Sequence, residues 1–490
     1  FTVMAAVFPM AFVSGMMGPY MSPMPIGAAV AMLLSLVVAL TLTPYLGYIF
    51  LREKEKAGAK HKKGTVLEET IIYKLYRRII EPMLNNRARR WGFMITTSVI
   101  LLASFVLFYT KSVGVKMLPF DNKNEFQVVI DMPEGATLER TQAVTMEIAA
   151  YLSTQPMVRN FQTYAGTSSP ITFSGLVRHY DMRQSSHTAD IQVNLVDKKD
   201  RSIQSHAITR NMRGPIQDIV NRYGANVSLV EVSPGPPVRS TLVAEIYGPD
   251  EAEQQKVALQ VKNLLAHTPD VVDLDWSIEA PQPEYQFVVD REKAMRNGIA
   301  PAQVAMAAHG MLSGMNAGIL HKAEAFEPEN IRLKAPDSSI SSLEAINNLP
   351  VKGQMGNQVL LGQLGQWQRS TVAQSINRKD QKRVIYLTAD MAGKLESPIY
   401  AITAVSDKLK SIQLPAGYQL NEEYTHAPET EDNYTVKWDG EWQITFEVFR
   451  DLGAAFGAVL IIIYILIVGW FQNFKVPLVM LSAIPLSLIG

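Results

Sequence analysis

The 490-residue sequence contains no cysteine. That excludes a disulfide framework and any cysteine-ligated zinc or iron–sulfur centre. A domain outside the cytoplasm would have to be stable by packing alone. No Gly-x-x-x-x-Gly-Lys-Ser/Thr loop is present, which removes a Walker-type nucleotide site. There is no His-x-x-x-His pair, no acidic cluster at metal-ligand spacing, and no nucleophile–base–orienter set. No cofactor and no catalytic residues are therefore expected, and a membrane-tethered enzyme has no support. The opening residues FTVMAAVFPMAF lack the basic n-region of a signal peptide. They begin without methionine, the last residues stop inside an apolar run, and the sequence reads as an internal piece of a longer chain. A formal net charge of zero gives no reason to expect a nucleic-acid partner.

Charge is also missing from long stretches. Phe1–Met17, Ile26–Phe50, Trp91–Thr110, Leu452–Trp470 and the stretch after Val476 are apolar and carry no Asp, Glu, Lys or Arg. About 20 such residues span a bilayer, so these runs predict membrane helices. The predicted organisation is two spans in 1–50, a basic loop in 51–90, a span in 91–110, and an amphipathic helix with two spans in 441–490. The loop 51–90 holds twelve Lys or Arg against five Glu. The positive-inside rule places it in the cytoplasm, and residues 111–450 on the other side.

Within that loop Leu67, Ile71, Ile72, Leu75, Ile79 and Met83 recur at helical spacing. They predict an amphipathic helix lying in the membrane surface, or one packed on another cytoplasmic part. Trp442, Phe446, Val448 and Phe449 suggest a similar helix feeding into the fourth span.

Residues 121–435 are too long for a connector. Strand and helix patterns follow the order β-α-β-β-α-β over 121–238, a split βαβ unit of the ferredoxin-like kind. A second round occupies 239–319 and 384–435, interrupted by a β-rich insertion over 320–383. Pro234, Pro236 and Pro237 form a stiff hinge or bare linker between the rounds. The stretch Thr167–Thr188 has little apolar pattern and reads as a long loop, either a binding or gating element or disordered.

Several stretches together resemble one family: VFPMAFVSGMMG, LVVALTLTPYL, LPFDNKNEFQVVIDMPEGATLERT, LPAGYQ, YTVKWDGEWQ and VPLVMLSAIPLSLIG. From end to end the chain resembles the middle of a resistance-nodulation-division efflux permease. The resemblance implies a polytopic α-helical membrane protein with a large periplasmic α+β region of porter subdomains, the 320–383 insertion forming part of a docking region. It implies a homotrimer in the bacterial inner membrane, working with a periplasmic adaptor protein and an outer-membrane channel. Multidrug members export small molecules on the proton gradient. The acidic pair of the proton relay would lie in the span before residue 1. Heavy-metal cation efflux and a non-transport auxiliary role on the same fold are the alternatives.

In multidrug relatives the loop matching 167–188 is rich in phenylalanine and separates two pockets. Here Phe173 is its single phenylalanine, and Gln192 stands where an aromatic would align, so the wall is more polar. The expected substrate contacts are Tyr164, Phe173 and Gln192, with Gly166 and Gly175 permitting bends in the gating loop. Phe173 packing its own subdomain is the competing reading. Thr41 and Thr43 either assist a proton network or bond their own helix backbone. Met182, beside Asp181, is the one methionine placed to suggest a soft-metal contact, but most methionines lie in or beside spans and read as packing.

Overall fold

The computed structural model describes residues 2–15, 17–50, 71–114, 116, 120–232, 235, 238–324, 326–353, 356–393 and 396–489. The hinge prolines Pro234, Pro236 and Pro237, residues 51–70 of the basic loop, and the side chains of Ile71, Ile72, Leu75 and Ile79 lie outside the described residues.

Among the described residues three helices are long and apolar enough to cross a membrane: Met17–Phe50, Arg87–Tyr109 and Glu441–Phe471. At 1.5 Å per residue even the 23-residue one reaches ~35 Å, past the ~30 Å hydrocarbon core. Their side chains face outward, Leu102, Phe105 and Ile461 among them, as a lipid-facing or helix-facing surface requires. The first apolar block is not one helix. It forms Thr2–Val7 and then a 3-10 turn Phe8–Phe12, because Pro9 supplies no N–H to an α ladder. The stretch Ile71–Asn85 is helical, with Arg77 bonded to Glu81 one turn on. Asn86 caps the Arg87–Tyr109 helix by accepting from the Ala88 amide.

The first extramembrane subdomain has the predicted element order: β1 (Glu125–Asp131), α1 (Leu138–Ser153), β2 (Val158–Ala165), β3 (Thr188–Leu195), α3 (Ser205–Tyr223) and β4 (Asn226–Glu231), with a short α2 (Phe173–Arg178) between β2 and β3. The sheet order is β2-β3-β1-β4, every neighbour antiparallel. Alternation sorts each strand. Phe126, Val128 and Ile130 of β1 and Ile191 and Val193 of β3 face α1 and α3 in one core. Val144, Ile148 and Leu152 of α1 meet them at helical spacing. The opposite face carries Gln127, Asp190, Gln192 and Asn194.

The second subdomain contributes β5 (Leu242–Tyr247), α4 (Glu251–Ala266), β6 (Val271–Trp276), β7 (Ile385–Met391), α5 (Pro398–Leu409), β8 (Leu420–Glu423) and β9 (Tyr434–Gly440). Their sheet order is β8-β9-β5-β7-β6, parallel only between β8 and β9. Strand β9 was not expected from the sequence. Tyr434, Val436 and Trp438 sit in the core, while Lys437 and Asp439 on the other face join Glu245 and Lys379 in a buried charge cluster.

Gly440 then joins β9 to the membrane helix α6 (Glu441–Phe471) at φ 77°, ψ −137°. A Cβ there would stand 2.6 Å from the Ser240 carbonyl oxygen. Such backbone geometry is essentially reserved for glycine. Gly440→Ala is expected to lower stability by about 1–3 kcal/mol, read as a lower thermal midpoint of the purified protein. An unchanged midpoint would show that the junction relaxes freely.

Residues Glu279–Ser375 form a separate compact unit. Its strand Pro283–Val289 pairs with Gly365–Thr371, and Ala294, Ile299, Val304, Val351, Leu361 and Leu364 make a small core of their own. The sequence reading placed Tyr285–Val289 and the two following helices in the second subdomain and began the insertion at 320. The strand instead finds its partner within this unit. The chain returns at Ile376, where the hairpin Arg378–Arg383 carries Lys379 to Glu245 and Asp439.

Candidate functional site

The two extramembrane subdomains meet edge to edge, β4 against β6. Asp273 of β6 takes a left-handed backbone (φ 52°), beside a register shift in the β6–β7 ladder. That irregularity re-aims its carboxylate out of the sheet. One oxygen accepts from the Leu229 amide at 3.0 Å and the other from Arg213 of α3. Burial pushes the Asp273 carboxyl up to about 6, against the pull of Arg213.

Between β2 and β3, the stretch expected to be a loop or disordered folds into structure. Thr172 caps α2 by accepting from the Gly175 amide at 3.0 Å. His179 ends it in a left-handed conformation, φ 58°. The bend therefore falls at His179. Gly175 lies inside the helix without a positive φ, which corrects its expected role. Gly166 does have φ +76°, and a Cβ there would strike Leu138 at 2.6 Å.

Two arginines fasten this segment. Arg183 bonds Asp190 and Asp131 at 2.5 Å each and the Ile130 carbonyl at 2.8 Å, pinning the segment to its own sheet. Arg178 reaches into the second subdomain and meets Asp390 of β7 at 3.3 Å. The second oxygen of Asp390 accepts from the Ser240 hydroxyl, the Thr241 amide and the Thr241 hydroxyl at 2.9–3.1 Å. Burial by itself would raise the Asp390 carboxyl. Arg178, Thr241 and Arg213 together hold it at about 2.

Tyr164 and Gln192 both lie on the sheet face away from the helices, two residues apart in register, since Gln162 pairs Gln192 and Tyr164 pairs Asp190. The Tyr164 hydroxyl donates to Gln162 at 2.7 Å. Gln192 donates to Glu125 at 3.3 Å, and its carbonyl oxygen is buried with no partner among the described residues. Gln192, Glu125, Gln127, Thr172 and Glu231 line a shallow cavity of about 70 Å³. Tyr164 does not line it. The Phe173 side chain lies outside the described residues. Among the described residues no group of three His, Asp or Glu could hold a metal ion. In the membrane, Thr41 donates to the Val37 carbonyl at 2.7 Å and Thr43 to Val38 at 3.5 Å, so both satisfy their own helix.

Sequence reasoning missed the arginine–aspartate pairs. Their signal was an aspartate inside an apolar alternation, ADIQV for Asp190 and YLTADM for Asp390.

The family profile described as AcrB/AcrD/AcrF matches residues 1–490. The chain belongs to the AcrB/AcrD/AcrF family. This is the resistance-nodulation-division resemblance read from the sequence, and it is a family of transport proteins, not of enzymes. Among similar members, the swarming motility protein SwrC of Bacillus subtilis (strain 168) is 22% identical over all of this chain and 42% of its own length. The nickel and cobalt resistance protein CnrA of Cupriavidus metallidurans is 22% identical over 97% of this chain and 42% of its own. The crystal structure of a heavy metal efflux pump (crystal form II) superposes with a TM-score of 0.70, at 19% identity, over 100% of this chain and 46% of the other. The chain thus spans less than half the length of these AcrB/AcrD/AcrF relatives. It shares with that pump a mixed α/β fold joined to membrane-length helices.

Proposed function

We propose that this chain is the membrane and porter portion of a secondary efflux transporter whose substrates are small cations, divalent metal ions foremost. The observation that carries the substrate class is the polar wall of the first sheet. Glu125, Gln162, Gln192 and Gln127 offer oxygen ligands where an aromatic lining would suit flat drugs. Hard or hydrated cations prefer such ligands, and a substrate in transit needs weak, incomplete coordination. The names of the nickel and cobalt relative and of the heavy metal pump point the same way. This favours the metal-efflux alternative over general multidrug export.

The rest of the reading follows the family. Each subdomain is taken as a ferredoxin-like porter unit, and residues 279–375 as the docking part. The basic loop faces the cytoplasm and the porter units the periplasm of a bacterial inner membrane. The full protein works as a homotrimer with a periplasmic adaptor and an outer-membrane channel, driven by protons through residues outside this chain.

A full-length protein expressed in a deletion strain should raise tolerance to nickel, cobalt, zinc or cadmium salts, and lose this with a protonophore. Tolerance that survives the protonophore would sink the transport reading, and protection against dyes but no metal would sink the substrate reading. Gln192→Leu is expected to weaken metal export about tenfold, the size of one hydrogen bond or ligand contact to a charged group at ~1.5 kcal/mol, with trimer yield unchanged. Phe173→Ala separates pocket contact from packing: a contact alters export of some substrates only, whereas packing lowers yield for all.

A further inference from the structure

His206, the second residue of α3, has both ring nitrogens against carboxylates. Nδ1 lies 2.6 Å from Glu231 Oε2 at the end of β4, and Nε2 lies 2.8 Å from Glu396 Oε1. Glu231 belongs to the same subdomain as His206, whereas Glu396 belongs to the other, just before α5. A neutral imidazole has one N–H and one lone pair. It can donate to one of these carboxylates and must present a lone pair to the other. The imidazolium alone donates to both.

The charge count agrees. Lys116, in the segment leaving the Arg87–Tyr109 membrane helix, pairs with Glu396 at 3.2 Å. Its Nζ also sits 3.5 Å over the Phe120 ring, and Phe120 stacks on His206 at 3.9 Å with 10° between planes. Two carboxylates are balanced by one lysine and one histidine only when the histidine is charged. Glu441, at the head of α6, also attracts Lys116, and the other charged neighbours have partners of their own. Asp121 accepts the Ser205 hydroxyl through its backbone and pairs its carboxylate with Lys123. Arg210, one turn along α3, donates to the Gly393 carbonyl.

We propose that Lys116, Phe120, His206, Glu231 and Glu396 form a proton-operated joint, where Lys116 and Phe120 meet both subdomains, and that protonation of His206 locks the two subdomains together. Deprotonation lets His206 keep its bond to Glu231 and release Glu396. Burial works against the charged ring, but the two glutamates outweigh it and raise the His206 pKa above its ordinary value of 6.5. A raised histidine pKa stabilises the closed joint fully below ~6.5, and that contribution is lost as pH rises through the higher bound value. Asp273, raised to about 6 in the same interface, has the same sign but titrates lower. The joint would couple the membrane helix to the contact between the subdomains. Its role in export rests on the proposed function, but its existence does not.

The test is a distance measurement between the two subdomains. Ser153→Cys and Asp407→Cys, both exposed and one in each subdomain, accept spin labels in full-length protein freed of any other cysteine. Pulsed dipolar spectroscopy at pH 6.5 and pH 8.5 should show a longer-distance population growing with pH. His206→Gln should remove at least half of that pH-dependent shift. Glu396→Gln, which leaves the His206–Glu231 bond intact, should do the same. An identical distribution at both pH values overturns the proposal, and so does an undiminished shift in either folded variant. A metal-tolerance assay on the same strains reads the transport function independently, so the two can fail separately.

Discussion

Asp390→Ala is expected to destabilise the extramembrane region by on the order of 3–5 kcal/mol, the loss typical of a buried pair with one partner removed. The carboxylate faces Arg178 at 3.3 Å and also serves Ser240 and the Thr241 amide and hydroxyl. Removing it orphans a guanidinium whose side chain is 8% exposed, together with three donors, the Ser240 hydroxyl among them in a buried residue. The Arg178 charge has nowhere to go, because guanidinium does not deprotonate in proteins. Asp390→Asn keeps the shape and acceptor oxygen but loses the charge, so its cost should fall between wild type and Asp390→Ala. Thermal unfolding of the purified full-length protein reads the series. A loss below about 1 kcal/mol for Asp390→Ala would place the pair with ordinary surface bridges and remove the fastening of α2 to the second subdomain.

That fastening bears on what the sequence could and could not reveal. The β-α-β-β-α-β order of the first subdomain was legible because its strands alternate and its helices repeat at three and four residues. Val128, Ile130, Ile191 and Val193 face the core at period-two spacing. Strand β9 escaped for a physical reason. YTVKWDG alternates, but Lys437 and Asp439 look like solvent-facing charges. Lys437 is buried and Asp439 half-buried because Glu245 and Lys379 arrive from β5 and a hairpin 60 residues away from Asp439 to neutralise them. Pairing of that kind is a tertiary fact with no local trace.

The same holds at the candidate site. Gln192 and Tyr164 were named as substrate contacts from the family resemblance, not from periodicity, and the strand register brings both to one sheet face. The segment 167–188 looked patternless because polar bonds organise it, not an apolar stripe. Its anchors Arg178, Arg183 and Asp190 act through partners 7 to 212 residues distant. The strand Pro283–Val289 was recognised as a strand but assigned to the wrong sheet, since partner choice depends on Gly365–Thr371, some 80 positions on.

Arg183→Ala should release the 167–183 segment from the sheet, with a cost that depends on pH. In the wild type the guanidinium bridges Asp131 and Asp190 and caps the Ile130 carbonyl. Asp190 is 1% exposed on its side chain and accepts the Ser169 amide at 2.8 Å. Burial already raises its pKa above the usual carboxylate value, with Arg183 and Ser169 pulling it back. Taking Arg183 away removes the larger of those two pulls, so the pKa climbs further. A carboxyl whose folded pKa lies above its unfolded one favours folding when protonated, and loses that contribution as pH rises through the folded value. At neutral pH the variant must bury an unpaired carboxylate, at a cost of on the order of 3–5 kcal/mol. At pH 5 a larger fraction of Asp190 is neutral, and the deficit against wild type should shrink. Thermal midpoints of variant and wild type, compared at pH 5 and pH 7.5, give the sign directly. An Arg183→Ala deficit that grows toward acid would mean that Asp190 is solvated in the variant and that Arg183 does not hold the segment through it. Hydrogen exchange at Ser169 provides the local readout: its amide, bonded to Asp190 in the wild type, should exchange faster in the variant at pH 7.5, whether or not the global midpoint moves.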